Sequence, residues 1–127
     1  MIVLVVASAI TLAALQESIN APTQAFRGCL RDAASKAISD KVTGDNIETY
    51  LKTACSGQMS TLKSAIVAFR VKNGMGKKAA ADDAEMTVDD YVATPADNYK
   101  FMASQRAQPQ PAAPPPTPAS DPQAPKP

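Results

Sequence analysis

The chain has 127 residues, of which 45% are hydrophobic, and its formal net charge is +1. A charge this close to zero indicates no strong electrostatic preference for nucleic acid or for an acidic membrane surface. Histidine and tryptophan are absent. The lack of imidazole excludes a Ser-His or Cys-His nucleophile pair and any zinc or haem site that needs a histidine ligand, so we expect neither enzymatic activity nor a cofactor.

Residues 1–21 form an N-terminal hydrophobic segment, and no charged residue precedes Glu17. Its apolar run ends at Leu15, is broken only by Ser8 and Thr11, and is too short to cross a bilayer, which takes about 20 apolar residues. This length is typical of a signal peptide, and the small residues Ala13 and Ala14 offer a cleavage neighbourhood. A signal peptide usually has basic residues at its start, and these are missing. An uncleaved membrane anchor and a buried core helix therefore remain as alternatives.

Residues 22–106 are predicted to form one folded helical domain. Pro22 suits the first turn of a helix, where its missing N–H is no loss. Thr43 and Gly44 predict the end of this helix, with Gly44 as a left-handed C-cap. Between them, apolar residues recur at steps of three and four, the spacing of one helical face. These residues are Phe26, Cys29, Leu30, Ala33, Ala37 and Ile38.

A second helix is predicted to begin at Asp45, which can cap the first turn while Glu48 completes a capping box. Apolar residues then follow at steps of three and four across residues 47–69, and this is the strongest periodic signal in the chain. Asn73 and Gly74 predict its end.

Cys29 and Cys55 are the only cysteines, and they lie at equal distances from Val42, beside the predicted turn. Residues equidistant from the turn of an antiparallel hairpin face one another. The spacing therefore predicts a helical hairpin closed by a Cys29–Cys55 disulfide, and the alternatives are reactive or metal-binding thiols and buried free cysteines. No C-x-x-C motif indicates a redox-active pair. A structural disulfide indicates an oxidising compartment, so we expect a periplasmic or secreted protein.

The third region is predicted to contain several short helices. Residues 75–86 are good helix formers with a thin apolar stripe, and further helix starts are predicted at Thr87 and at Pro95. Tyr99 and Met102 are expected to pack the last of these helices onto the hairpin. The predicted fold class is thus all-α: a disulfide-clasped antiparallel helical hairpin with additional short helices and a disordered Pro-rich C-terminal tail.

That tail comprises residues 107–127, in which proline occurs at almost every second or third position after Gln108. Such a composition excludes helix and sheet and favours extended polyproline II. Two interpretations remain: a solvated, disordered tail, or a docking strand for an aromatic groove on a partner.

One group of acidic residues is the only constellation in the sequence that could bind a metal ion. Its oxygen ligands would favour Ca²⁺ or Mg²⁺, although neither the spacing nor the glycine of an EF-hand is present. The alternative is a solvated helix face with acids near helix starts. The group consists of Asp82, Asp83, Glu85, Asp89 and Asp90.

Two stretches, FRGCLRDAASKA and ADDAEMTVDDYVATPADNYKFMA, resemble small exported helical proteins of alphaproteobacteria whose function is unknown. The resemblance covers residues 26 to about 103 and implies export, but no activity, substrate or binding residue. We expect a non-enzymatic structural or protein-interaction module of the cell envelope, with an unknown protein partner. One alternative is a divalent-cation-binding or envelope-stress protein that uses residues 82–90. Another is a membrane-anchored accessory subunit, if the N-terminal segment is not cleaved.

Overall fold

The computed structural model describes residues 9–109 and 111–116, with side chains described from residue 18 onward. This part of the chain contains helices and no strand, so the predicted all-α fold class is confirmed. A short 3₁₀ turn at Gly44–Asn46 joins the first two helices. The helices are α1 (Ala9–Ser39), α2 (Ile47–Ala54), α3 (Ser56–Lys72) and α4 (Lys77–Ala107).

The predicted hairpin is formed by α1 and the consecutive pair α2–α3, which run in opposite directions. The disulfide joins Cys29 to Cys55 with 5.8 Å between their Cα atoms. Nearer the turn, the Tyr50 hydroxyl donates to the Asp40 carboxylate at 2.8 Å. A single helix was predicted across residues 47–69, whereas the structure interrupts it at Cys55, the residue that carries the disulfide.

α4 is a third rod that runs parallel to α1 and antiparallel to α2–α3. The rings of Phe26 and Tyr91 meet edge to face, with their centroids 6.5 Å apart. Further along both helices, the Tyr99 hydroxyl lies 3.1 Å from the carbonyl oxygen of Ala37. The chain therefore runs up, down and up, with one shared core.

The buried face of α4 consists of residues with small or slender side chains at steps of four. Small side chains let two helices approach closely, and this is how a helix with a weakly apolar sequence still packs on both other rods. The tyrosine at its end is the one large side chain of the set. The buried residues of α4 are Ala80, Ala84, Val88, Val92, Ala96 and Tyr99.

The helix starts predicted at Thr87 and Pro95 are wrong, because α4 is continuous from Lys77 to Ala107. The Thr87 hydroxyl donates to the Asp83 carbonyl oxygen at 2.8 Å, one turn earlier, as threonine does inside a helix. Proline in a helix removes one backbone hydrogen bond. Pro95 nevertheless lies inside α4, on the turn that also contains the fully or almost fully buried Val92 and Ala96.

The helix start predicted at Pro22 is also wrong, since Pro22 lies inside α1. The helix already includes Ala9, the first residue that the structure describes. Residues 1–8 of the predicted signal segment lie outside the described part of the chain. Among the described helices, none combines the length and the apolar character that a membrane span requires.

α1 ends in a Schellman turn at Lys41, rather than at the predicted C-cap Gly44. Lys41 adopts the left-handed conformation with φ of 55°. Its N–H donates to the carbonyl oxygen of Ile38 at 3.2 Å, and the Val42 N–H donates to that of Ala37 at 3.0 Å. These two bonds define the motif. The second predicted stop is confirmed, because Gly74 has φ of 94° and ends α3 in the same way.

The capping box predicted at Asp45 and Glu48 does not form. Asp45 lies within the 3₁₀ turn, and the N-cap residue of α2 is Asn46, which makes no side-chain capping bond. Glu48 instead pairs with Lys100 of α4 at 2.7 Å. Its carboxylate therefore binds a neighbouring helix rather than its own backbone.

Two residues predicted to pack in the core are exposed instead. Ile38 is 47% exposed and Met102 is 51% exposed, while Tyr99 is buried as expected. Helical spacing places Ile38 beside the core stripe, but α4 does not extend over that side of α1. Both side chains contribute to the surface described below.

The C-terminal tail is described only in part. Residues 108–109 and 111–116 contain no helix or strand, in agreement with their proline content. Residues 117–127 lie outside the described part of the chain.

The disulfide is expected to contribute about 3.5 kcal/mol to the free energy of unfolding, because it closes a loop between residues 26 positions apart in the sequence. Urea denaturation of the oxidised and the reduced protein measures this directly. A Cys29→Ala/Cys55→Ala variant is the control and should not respond to the reductant. An unchanged urea midpoint on reduction of the wild-type chain would contradict the expectation.

Replacing Lys41 with glycine is expected to stabilise the protein by about 0.5–1 kcal/mol, because a side chain at positive φ is strained and glycine is not. Lys41→Ala keeps the Cβ atom and serves as the matched control, with little change expected. Thermal and urea unfolding of the three proteins compare them. Equal stability of Lys41→Gly and Lys41→Ala would show that the backbone at this turn is not strained.

Candidate functional site

The predicted disulfide is present and joins α1 to the break between α2 and α3. Cys55 is fully buried at the break between α2 and α3, and Cys29 is partly buried on α1. No free cysteine remains. The bond therefore belongs to the core, and the thiols are not available as nucleophiles or metal ligands.

The acidic residues proposed as a metal site lie along α4, and four of the five face cations. Two of the pairs connect α4 to α3: Asp83 with Arg70 at 2.7 Å, and Glu85 with Lys63 at 2.5 Å. The remaining pairs are Lys52–Asp89, between α2 and α4, and Lys78–Asp82, within α4. Only Asp90 has no such partner among the described residues.

These acidic residues form a set of ion pairs, three of them between helices, rather than a metal-binding site. Across residues 18–109 and 111–116, whose side chains the structure describes, no three Asp, Glu, Cys or His side chains converge on a point that could hold a cation. Four of the five carboxylates are paired with four different lysines or arginines. The structure therefore does not bring the five predicted ligands together.

One further ion pair joins the turn-proximal end of α2 to α4. The Lys100 ammonium donates to the Glu48 carboxylate at 2.7 Å. This hydrogen bond lowers the pKa of Glu48 and raises the pKa of Lys100. Near the same end, hydrogen bonds from Lys36 and Tyr50 lower the pKa of Asp40.

A groove with a volume of about 840 Å³ lies between α1 and α4. It lies on the side of the bundle opposite α2–α3, where the two parallel helices are in contact with each other but not with a third. Its floor is mainly apolar. The apolar residues that form this floor include Leu30, Ala34, Ile38, Tyr91, Pro95 and Met102.

The groove is held in shape at one end by Tyr99. The hydroxyl of this residue lies 2.6 Å from the carbonyl oxygen of Val42, in addition to its contact with Ala37. Both acceptors belong to the Schellman turn that ends α1. The tyrosine therefore fixes α4 against the end of α1 and sets the width of the groove there.

Four charged residues line the groove: Arg27 and Arg31 on α1, and Asp90 and Arg106 on α4. Their side chains are exposed. None of them forms an ion pair within the described chain, in contrast to most acids of α4. The sequence indicated only that the α1 arginines lie outside the core stripe. It gave no signal that α4 would place an apolar surface beside them.

Comparisons of the chain with known protein families, with curated protein sequences and with solved structures found no match. No relative therefore supplies an activity, a substrate or a partner, and the geometry of the groove is the observation that bears on function.

The Glu48–Lys100 pair predicts an acid-sensitive contribution to stability. Because the folded state lowers the pKa of Glu48 from its usual 4.5, this contribution is complete above that value and is lost as the pH falls through the lower, folded value. Glu48→Gln should therefore lower the urea midpoint at pH 6 and leave it unchanged at pH 2.

The matched control for this experiment is Asp32→Asn, which removes an exposed carboxylate without an ion pair. It should have little effect at either pH. An equal loss for Glu48→Gln at both pH values would show that the carboxylate charge does not stabilise the fold.

Proposed function

We propose that this chain is a small exported, non-enzymatic module of the cell envelope that binds a protein partner through the α1–α4 groove. The observation that carries the proposal is the groove itself, in which the large apolar side chains of Ile38 and Met102 are about half exposed beside other apolar residues. An exposed apolar surface of this kind, bordered by charged residues, is typical of an interaction site.

The compartment is supported by the disulfide, which fits an oxidising periplasmic or extracellular location. The N-terminal hydrophobic segment supports export by its length and composition. The non-enzymatic character is supported by the content of the groove. Hydroxyl residues such as Ser35 and Thr94 line it, but the sequence contains no histidine that could act as their base.

The partner is proposed to be a protein because of the shape and chemistry of the groove. It is open, elongated along two helices and apolar on its floor, which is the form of a surface that receives a helix. A small substrate would instead favour an enclosed cavity with convergent polar groups. Three groove residues with large side chains supply the apolar contact: Ile38, Tyr91 and Met102.

The proposal predicts that Ile38→Gln/Met102→Gln abolishes partner binding while leaving the fold intact. Both side chains are about half exposed, so the change costs little folding energy. Because each side chain is already about half buried, burying the rest of both at an interface contributes about 0.8–1.5 kcal/mol each, or roughly tenfold or more in affinity for the pair. The measurement is recovery of crosslinked partners from an envelope extract of the native host, quantified by mass spectrometry.

The matched control is Met86→Gln/Phe101→Gln, which removes two exposed apolar side chains of α4 that lie outside the groove. Neither double variant alters the net charge. Partners that are retained by the control and lost by the groove variant support the proposal. Equal recovery with both variants would place the interaction elsewhere, and a chain ending at Ala107 then tests the tail.

A further inference from the structure

The charges along the groove are unbalanced. Three arginines and one aspartate line it, and no ion pair within the described residues neutralises them. Of the eight other charged residues of α4, six form ion pairs, four of them with α2 or α3. The groove is therefore a positive region on a chain whose total charge is only +1.

The positions of the arginines are as informative as their number. Arg27 and Arg31 are one turn apart on α1, so they lie side by side and repel each other slightly. Arg106 is at the other end of the groove, in the last turn of α4. From Asp90 to Arg106 the groove follows 16 residues of α4, or about 24 Å of helix.

From this charge distribution we infer that the partner segment is an acidic amphipathic helix, an inference that rests on the proposed function. The apolar stripe of the helix lies on the groove floor against Ile38 and Met102. Carboxylates near one end pair with Arg27 and Arg31, and a carboxylate about four turns away pairs with Arg106. The docked helix completes a four-rod bundle.

Other occupants fit the charges less well. A second copy of this chain would bring the same three arginines together, and like charges repel. The chain's own residues 107–127 contain one aspartate and one lysine, so they offer no excess of negative charge. An acidic helix alone matches both the apolar floor and the basic ends.

The inference is tested by measuring the binding of two fluorescein-labelled peptides. Each has about 18 residues, which is long enough to span the groove as a helix. Both carry leucine at steps of three and four, and they differ only in having glutamate or lysine at the flanking positions. With three charge pairs at an exposed surface, the Glu peptide should bind at least roughly tenfold more tightly than the Lys peptide at low salt. The difference should shrink at high salt.

Charge reversal of the groove locates the effect. Arg27→Glu/Arg31→Glu should abolish or reverse the preference for the Glu peptide. The matched control is Lys72→Glu/Lys77→Glu, which produces the same change in net charge at exposed lysines outside the groove. The control should retain the preference, and circular dichroism confirms that both variants are folded.

The outcomes separate this inference from the proposed function. If both peptides bind equally and Ile38→Gln/Met102→Gln abolishes binding, the groove receives helices without charge selection, and only the acidic character is overturned. If neither peptide binds while partner recovery from the extract still depends on the groove, the acidic helix is likewise overturned and the proposed function stands. If recovery is also independent of the groove, the proposed function fails as well. Tighter binding of the Glu peptide to a chain ending at Ala107, by about tenfold or more, would make the tail the occupant.

Discussion

The covalent bond between Cys29 and Cys55 is the constraint on which the remaining structure depends. It fixes α1 against the break between α2 and α3, and about 100 described residues provide a core in which many buried side chains are alanine or valine. A core of this size and composition gives limited stability. The disulfide adds stability by restricting the conformations of the unfolded chain. With that contribution, α4 can pack through small residues and the fold remains stable.

The groove results from the way α4 packs on the hairpin. α4 contacts the hairpin through a narrow stripe of residues, and its Tyr99 hydroxyl contacts the turn that ends α1. Ion pairs to α2 and α3 hold its other side. The α1–α4 side has no equivalent cover, so Ile38 and Met102 remain exposed. The same arrangement that closes the core therefore leaves the apolar groove between α1 and α4 open.

The hairpin, the disulfide and the all-α class could be predicted from sequence, because helical periodicity and the symmetric cysteines are local signals. The continuity of α4 was missed, since Thr87 and Pro95 resemble helix starts. The available signal was the stripe from Ala80 to Tyr99, which continues past both positions at steps of four and, at its end, three. The groove and the ion pairs could not be predicted, because they depend on which helix faces meet. Asp83 and Glu85 carried no local indication that α3 would supply their partners.

The most direct test of the central claim is the state of the two cysteines in protein isolated from its native host. The material is denatured, treated with an alkylating reagent before and after reduction, and its intact mass is measured. Because the chain has two cysteines, the account predicts no added alkyl group before reduction and two after it. Two alkyl groups added without reduction would show that the thiols are free, and would contradict both the clasped hairpin and the oxidising compartment.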